Sequence, residues 1–293
     1  MNAKVKITNR AGASFPVRRM NFEFDAVPEY WMNGSAGLTH FMTALSALFP
    51  AGEMFFIDSV RAVRKHPAIA NNEALQKEIS AFIGQEAMHT QEHEGFNASA
   101  QKYGHDVETL DKATGRVIQG VRKVFARIGK PVGITQEMVD LTATTALEHF
   151  TATIASQLLV NPHIQVLMTD ETMKNMWLWH AIEENEHKAV AYDVFEGVFG
   201  QGIKAYALRT GSLIGAMVTL FFVQSYFVAR LLKEDNKLNF EALKDIYTYG
   251  YSPSKGIITG MGKEMLMYFK PGFHPNDLDT SGLLKTWKAY LGL

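Results

Sequence analysis

Glu86-Ala87-Met88-His89 and Glu184-Asn185-Glu186-His187 decide how this chain folds. Both are Glu-x-x-His. Each follows a lone acid in apolar surroundings, Glu53 in FPAGEMFFI (49–57) and Glu148 in TTALEHFTAT (144–153). Glu53 to Glu86 spans 33 positions and Glu148 to Glu184 spans 36, so one acid-then-motif unit occurs twice at nearly one spacing. On a helix, residues three or four apart share a face, and each Glu therefore projects with its His. Four helices offering Glu, Glu-x-x-His, Glu and Glu-x-x-His are what a carboxylate-bridged two-metal centre inside a helix bundle requires.

The surrounding pattern is helical. Leu38, Phe41, Met42, Leu45, Leu48 and Phe49 recur at three- and four-residue intervals up to Pro50, which kinks or restarts the helix that continues over 51–65. Helices are expected over 72–102, 107–129 (closed by Gly129-Lys130-Pro131), Thr135 to about Val160, and 170–199 with Asp170 as N-cap. Strand signals are nearly absent, so the expected class is all-α: a four-helix bundle with extra C-terminal helices. Three parts are expected, an extended arm over 1–34, the bundle over 35–200, and an apolar helix with a helical tail over 201–293.

Composition excludes much. There is no cysteine, which removes disulfides, thiolate metal sites and cysteine nucleophiles together. The formal net charge is −1 with no long basic run, so no nucleic-acid partner is expected. The first twenty residues have no apolar core and do not read as a secretory signal, making cytoplasm the expected compartment. Residues 210–229 carry no charge and reach the length of a membrane span, yet include Thr210, Ser212, Thr219, Gln224 and Ser225. A buried helix or a homodimer interface over 204–233 is the first reading, with a membrane-surface helix second and a span third.

The expected metal ligands are Glu53, Glu86, His89, Glu148, Glu184 and His187, with His180 as a seventh, one turn before Glu184. Glu184 is preferred to its neighbour Glu183 because only Glu184 has a His three positions on. Glu183 is the candidate general base. His93 reads as a supporting or core imidazole, and His149 points about 100° from Glu148. Asp58, Asp140 and Asp193 are candidates for orienting the imidazoles. A single Glu-x-x-His is ordinary helix surface. The doubled pattern with its two isolated acids gives the metal reading its weight. Two close divalent ions repel, and bridging carboxylates offset that repulsion. Oxygen and imidazole donors without thiolate favour iron, with manganese or zinc as alternatives.

Taken together, Glu53, Glu86-x-x-His89, Glu148 and Glu184-x-x-His187 resemble the ferritin-like di-iron carboxylate superfamily over roughly residues 38–200. The strings FIGQEAMHTQEHEGFN and WLWHAIEENEHKAVAYDVF are similar to a bacterial family of predicted metal-dependent hydrolases over most of the chain. His180-x-x-x-Glu184-x-x-His187 also resembles the di-iron arylamine N-oxygenases, where an extra His supplies a third imidazole. The resemblances imply two iron ions, dioxygen as co-substrate, an electron donor and an apolar or aromatic small substrate. The leading expectation is an oxygenase. The alternative is a hydrolase using a metal-activated bridging water, and the third is iron handling or a structural metal. Peripheral membrane contact is left open by residues 210–229.

Overall fold

Pro50 sets the first boundary. In the computed structural model, which describes residues 5–293, α1 (Ala36–Ser46) closes at a turn over Ala47 and Leu48, and α2 (Phe49–Val63) restarts with Pro50 in its first turn. A first-turn N–H has no partner within the helix, so proline loses nothing there. The long helices that follow start at side-chain caps. Asn72, Asp106, Thr135 and Asp170 each accept the N–H of the third residue on, at the heads of α3 (Glu73–Gln101), α4 (Val107–Gly129), α5 (Gln136–Val160) and α7 (Glu171–His187). The one-turn α6 (Pro162–Gln165) lies between the last two. Then come α8 (Val190–Phe199), α9 (Ile203–Glu234), α10 (Phe240–Ile246), α11 (Ile257–Gly260), α12 (Gly262–Met267) and α13 (Ser281–Leu291). The protein is all-α. Among the described residues the only sheet is an antiparallel pair of three-residue strands, β1 (Lys6–Thr8) and β2 (Val17–Arg19).

The helix expected over 170–199 is two, because residues 188 and 189 break it directly after His187. Neither residue is Gly or Pro. Instead Lys188 is drawn inward, its ammonium donating to the Leu278 carbonyl and, at 3.1 Å, to the Thr280 hydroxyl. The N-terminal arm is also more than an extended tail. It lies along α3, and two glycines let it approach. A Cβ on Gly84 would sit 2.7 Å from Val17, and one on Gly95 2.9 Å from Phe24. Phe15, Trp31 and Met32 of the arm are buried.

α2 packs on α3 and α5, α5 on α7 and α8, and α3 on α7 and α8. The carrier helices α2, α3 and α5 each cross from one hydrophobic cluster to another, and α7 does so together with the start of α8. Phe49 and Phe56 flank Glu53 on α2, and Phe96 and Phe82 flank the α3 motif. Ile154 and Leu141 flank Glu148 on α5, while Trp177 and Val190 stand either side of the α7 motif. The acids and imidazoles thus form a polar layer between two dry cores. Burying a charge there is unfavourable unless it finds a partner.

α9 is the exception to burial. Its apolar window is 22% buried, against 83% for the apolar window that covers α1 and α2. The helix rests on α1 and α5 with one face, and the other is open.

Candidate metal centre

All seven expected ligand residues are brought together. Glu53, Glu86, His89, Glu148, Glu184 and His187 are each at most 3% exposed, and His180 is 2% exposed. Potential ligand atoms of Glu53, Glu86 and His89 lie within 4.8 Å of one another, and so do those of Glu86, Glu184 and His187. Glu86 belongs to both groups. Glu184 is also shared, since it groups with His89 and His180 as well. His187 Nε2 lies 3.2 Å from Glu86, 3.5 Å from Glu148 and 3.6 Å from Glu184. On the other side His89 Nδ1 lies 3.5 Å from Glu184 and 3.7 Å from Glu86, while His180 Nε2 is 2.9 Å from Glu184 and 3.7 Å from Glu53.

Whether these residues suit a metal can be read from their unmet bonding. Both carboxylate oxygens of Glu86, both of Glu148, one each of Glu53 and Glu184, and the facing nitrogens His89 Nδ1 and His187 Nε2 have no hydrogen-bond partner among the described residues. Eight buried lone-pair or N–H sites in one place is far from the norm for a folded interior. Their types, carboxylate oxygen and imidazole nitrogen, are those that hold iron, manganese or zinc.

Electrostatics agrees. Burial, then the charge of Glu86, pushes the Glu53 and Glu148 carboxyls well above the usual range. Burial acts the same way on Glu86 and Glu184, but their imidazole neighbours outweigh it and hold both acids low. His89 and His187 are pushed well up, because facing carboxylates overcome the burial that would lower them. Glu53 and Glu148 thus resist ionisation in the protein alone, and a central cation would favour the charged form of all four carboxylates.

The orienting groups differ from those expected. Asp58 is exposed beside Arg61, Asp140 pairs with Arg122, and Asp193 pairs with His274. None reaches the centre. Instead Glu183 accepts from His89 Nε2 at 3.1 Å, the Gln85 carbonyl meets His187 Nδ1 at 2.9 Å, and Thr90 donates to Glu53 at 2.9 Å. Glu183, the candidate base, therefore lies behind His89 rather than facing the centre. Its other oxygen is held 2.9 Å from Arg18, which also grips Glu186 with both guanidinium nitrogens. Arg18 comes from β2, 165 residues before Glu183. His93 stands behind His180: its Nε2 is 2.8 Å from His180 Nδ1, and its Nδ1 is 2.8 Å from the Ser46 hydroxyl, which donates on to Asn97. Burial, with His180 and His89 nearby, holds His93 well below the usual imidazole range, and the ring stacks on Phe49. His149 serves elsewhere, stacked on Tyr268 with Nε2 3.2 Å from the Glu264 carbonyl.

A cavity of about 370 Å³ opens on the Glu53 side. Its walls come from α2, α4, α5 and α9 and are almost wholly hydrocarbon, with Phe49, Phe56, Leu147, Val121 and Leu220 among them. A second space of about 30 Å³ lies beside His180 and Glu184, room for a single water.

Fold and site together define an all-α protein with a buried carboxylate–imidazole centre suited to metal. A family model described as predicted metal-dependent hydrolase matches residues 16–279, and the chain belongs to that family. No curated protein and no solved structure matches the chain.

Proposed function

We propose that this chain is a two-metal enzyme acting on an apolar small molecule, and that its reaction is hydrolysis. The observation that carries the metal reading is the set of buried, unpartnered carboxylate and imidazole atoms converging from α2, α3, α5 and α7. The family's description supports hydrolysis. Glu86 and Glu184 would be the shared ligands, Glu53, His89 and His180 would complete one side, and Glu148 and His187 would complete the other. Glu and Glu-x-x-His offered from four helices is the donor set expected of a ferritin-like site, and supports this reading. When bound, the ions lower the pKa of water and polarise the bond to be split.

The chain's own residues do the rest. Glu183 takes the Nε2 proton of His89 as a hydrogen bond and so leaves Nδ1 turned to the centre as a lone-pair donor. Gln85 does the equivalent for His187, with its amide oxygen accepting from Nδ1–H and leaving Nε2 free. Arg18 fixes Glu183 in turn. Phe49, Phe56 and Leu147 keep bulk water from the Glu53 side, which strengthens every electrostatic interaction within.

A second reading, oxidation with dioxygen at a di-iron centre, has its own observation. Glu183 is held between Arg18 and His89 rather than free to act as a base at the centre, and the cavity wall is mostly hydrocarbon, which suits an apolar substrate better than a polar scissile bond.

The experiment is metal loading followed by two assays on the same protein. Zinc- or manganese-loaded protein that cleaves apolar nitrophenyl esters, with turnover lost in Glu184→Ala, supports hydrolysis. Ferrous protein that consumes dioxygen with a change in its optical spectrum, and no esterase activity with any metal, replaces hydrolysis with oxidation. Protein that retains no metal after loading refutes both.

A further inference from the structure

The open face of α9 adjoins the mouth of the apolar cavity. Ile214, Val218, Phe221 and Phe222 follow one another at four-, three- and one-residue steps, so they share a face, and each is 53–66% exposed. The last turns of α4 stand across the cavity mouth, where Phe125 is 47% and Ile128 67% exposed while both also line the cavity. The two helices run side by side in opposite directions. Arg230 near the end of α9 pairs at 2.9 Å with Asp106 at the head of α4, and Lys204 near the start of α9 donates to the Val132 and Gly133 carbonyls just past the end of α4. Phe125 is the bridge between them, within van der Waals reach of a Cβ built on Gly215.

Charge along this pair is lopsided. From Lys112 to Gln136 the chain has no acid, and Lys123, Arg127 and Lys130 are exposed beside Phe125 and Ile128, with Lys204 adjoining them. The acids, Asp106, Glu108, Glu234 and Asp235, gather at the far end. An exposed apolar face rimmed by cations at one end is complementary to an anionic bilayer, with aromatic rings entering the headgroup boundary and ammonium and guanidinium groups meeting lipid phosphates.

We propose that the α4–α9 face docks on an anionic membrane surface, and that the cavity takes its apolar substrate from that membrane through the narrow passage between α4 and α9 that Phe125 guards beside Gly215. The substrate-delivery half of this inference rests on the proposed function, whereas the docking half stands on the surface alone. The open face lies on the bilayer rather than crossing it, since the opposite face of the helix is packed against α1 and α5. An apolar substrate confined to a bilayer then needs no passage through water to reach Glu53.

The test is sedimentation of the full chain with sucrose-loaded vesicles of phosphatidylcholine alone or with phosphatidylglycerol added. Binding to the anionic vesicles is expected, at least about tenfold weaker to the neutral ones and in Lys123→Glu/Arg127→Glu. Phe221→Ser/Phe222→Ser is expected to abolish it, with circular dichroism and metal content unchanged. The same binding with and without added metal separates docking from the reaction at the centre. No vesicle binding overturns the proposal. So does a concentration-dependent dimer that Phe221→Ser/Phe222→Ser dissociates, because a second copy of the chain would then cover this face. Equal binding to neutral and anionic vesicles overturns the electrostatic half. Docking with wild-type uptake of a membrane-borne apolar probe in Phe125→Trp, where the passage is narrowed, overturns the entry route and leaves the docking.

Discussion

The two halves of the centre are built from the same motif and supported differently. On the first side, Glu53 is bonded by Thr90, and His180 leads through His93 and Ser46 to Asn97, a buried polar chain four groups deep. On the second, Glu148 has neither oxygen satisfied, and His187 is held by Gln85 beneath the edge of Phe82. The first half also opens on the large cavity, whereas the second is closed by aromatic rings. A repeated ligand pattern therefore does not make two equivalent metal positions. On the proposed function, the half with the extra imidazole and the open wall would be the one a substrate reaches, and the closed half would hold its ion more tightly.

The largest effect is expected where the halves meet. Glu86→Ala removes a ligand from both sides, so metal analysis should show neither ion retained and activity at background. Glu53→Ala and Glu148→Ala should each lose one ion. Glu148→Ala should lose the tighter one, and an equal loss of affinity in both variants would erase the distinction between the halves.

Next come the groups that hold the ligands. Glu183→Gln and Gln85→Leu should each cost about 10–100-fold in metal affinity or activity, the range usual for a partner of a ligating imidazole. Glu183→Gln should act on the first half and Gln85→Leu on the second. Arg18→Met leaves Glu183 buried without its cation, and breaking such a buried pair typically costs about 3–5 kcal/mol. Glu186 still keeps Lys288, so the low end of that range is expected in thermal unfolding. Metal removal should itself lower the unfolding temperature. Each ion present at a hundred times its dissociation constant stabilises the native state by about 2.7 kcal/mol, and chelation should reverse this. The smallest effect should come from Asp58→Asn, whose exposed partner Arg61 is worth about 0–1 kcal/mol and which lies outside both halves.

Much of this was readable beforehand, for identifiable reasons. The helix starts at Thr135 and Asp170, and the restart at Pro50, are local events between residues three or four apart, and local chemistry fixes them. The convergence of Glu53, Glu86, His89, Glu148, Glu184 and His187 follows from helical spacing used twice. What supports the ligands was not readable. Arg18 meets Glu183 only because an N-terminal strand runs along α3, a contact that no periodicity encodes. Asp58, Asp140 and Asp193 were plausible by type, but each has a nearer cation or imidazole. Gln85 sits beside Glu86 in sequence yet turns to His187 on another helix. The break after His187 depends on Lys188 finding the Leu278 carbonyl ninety residues away.

Whether two ions share Glu86 and Glu184 is read from metal stoichiometry on purified, loaded protein, by elemental analysis and native mass spectrometry. Two ions per chain in the wild type, one in Glu53→Ala and in Glu148→Ala, and none in Glu86→Ala is the predicted result. One ion or none in the wild type, or two ions surviving Glu86→Ala, would contradict it.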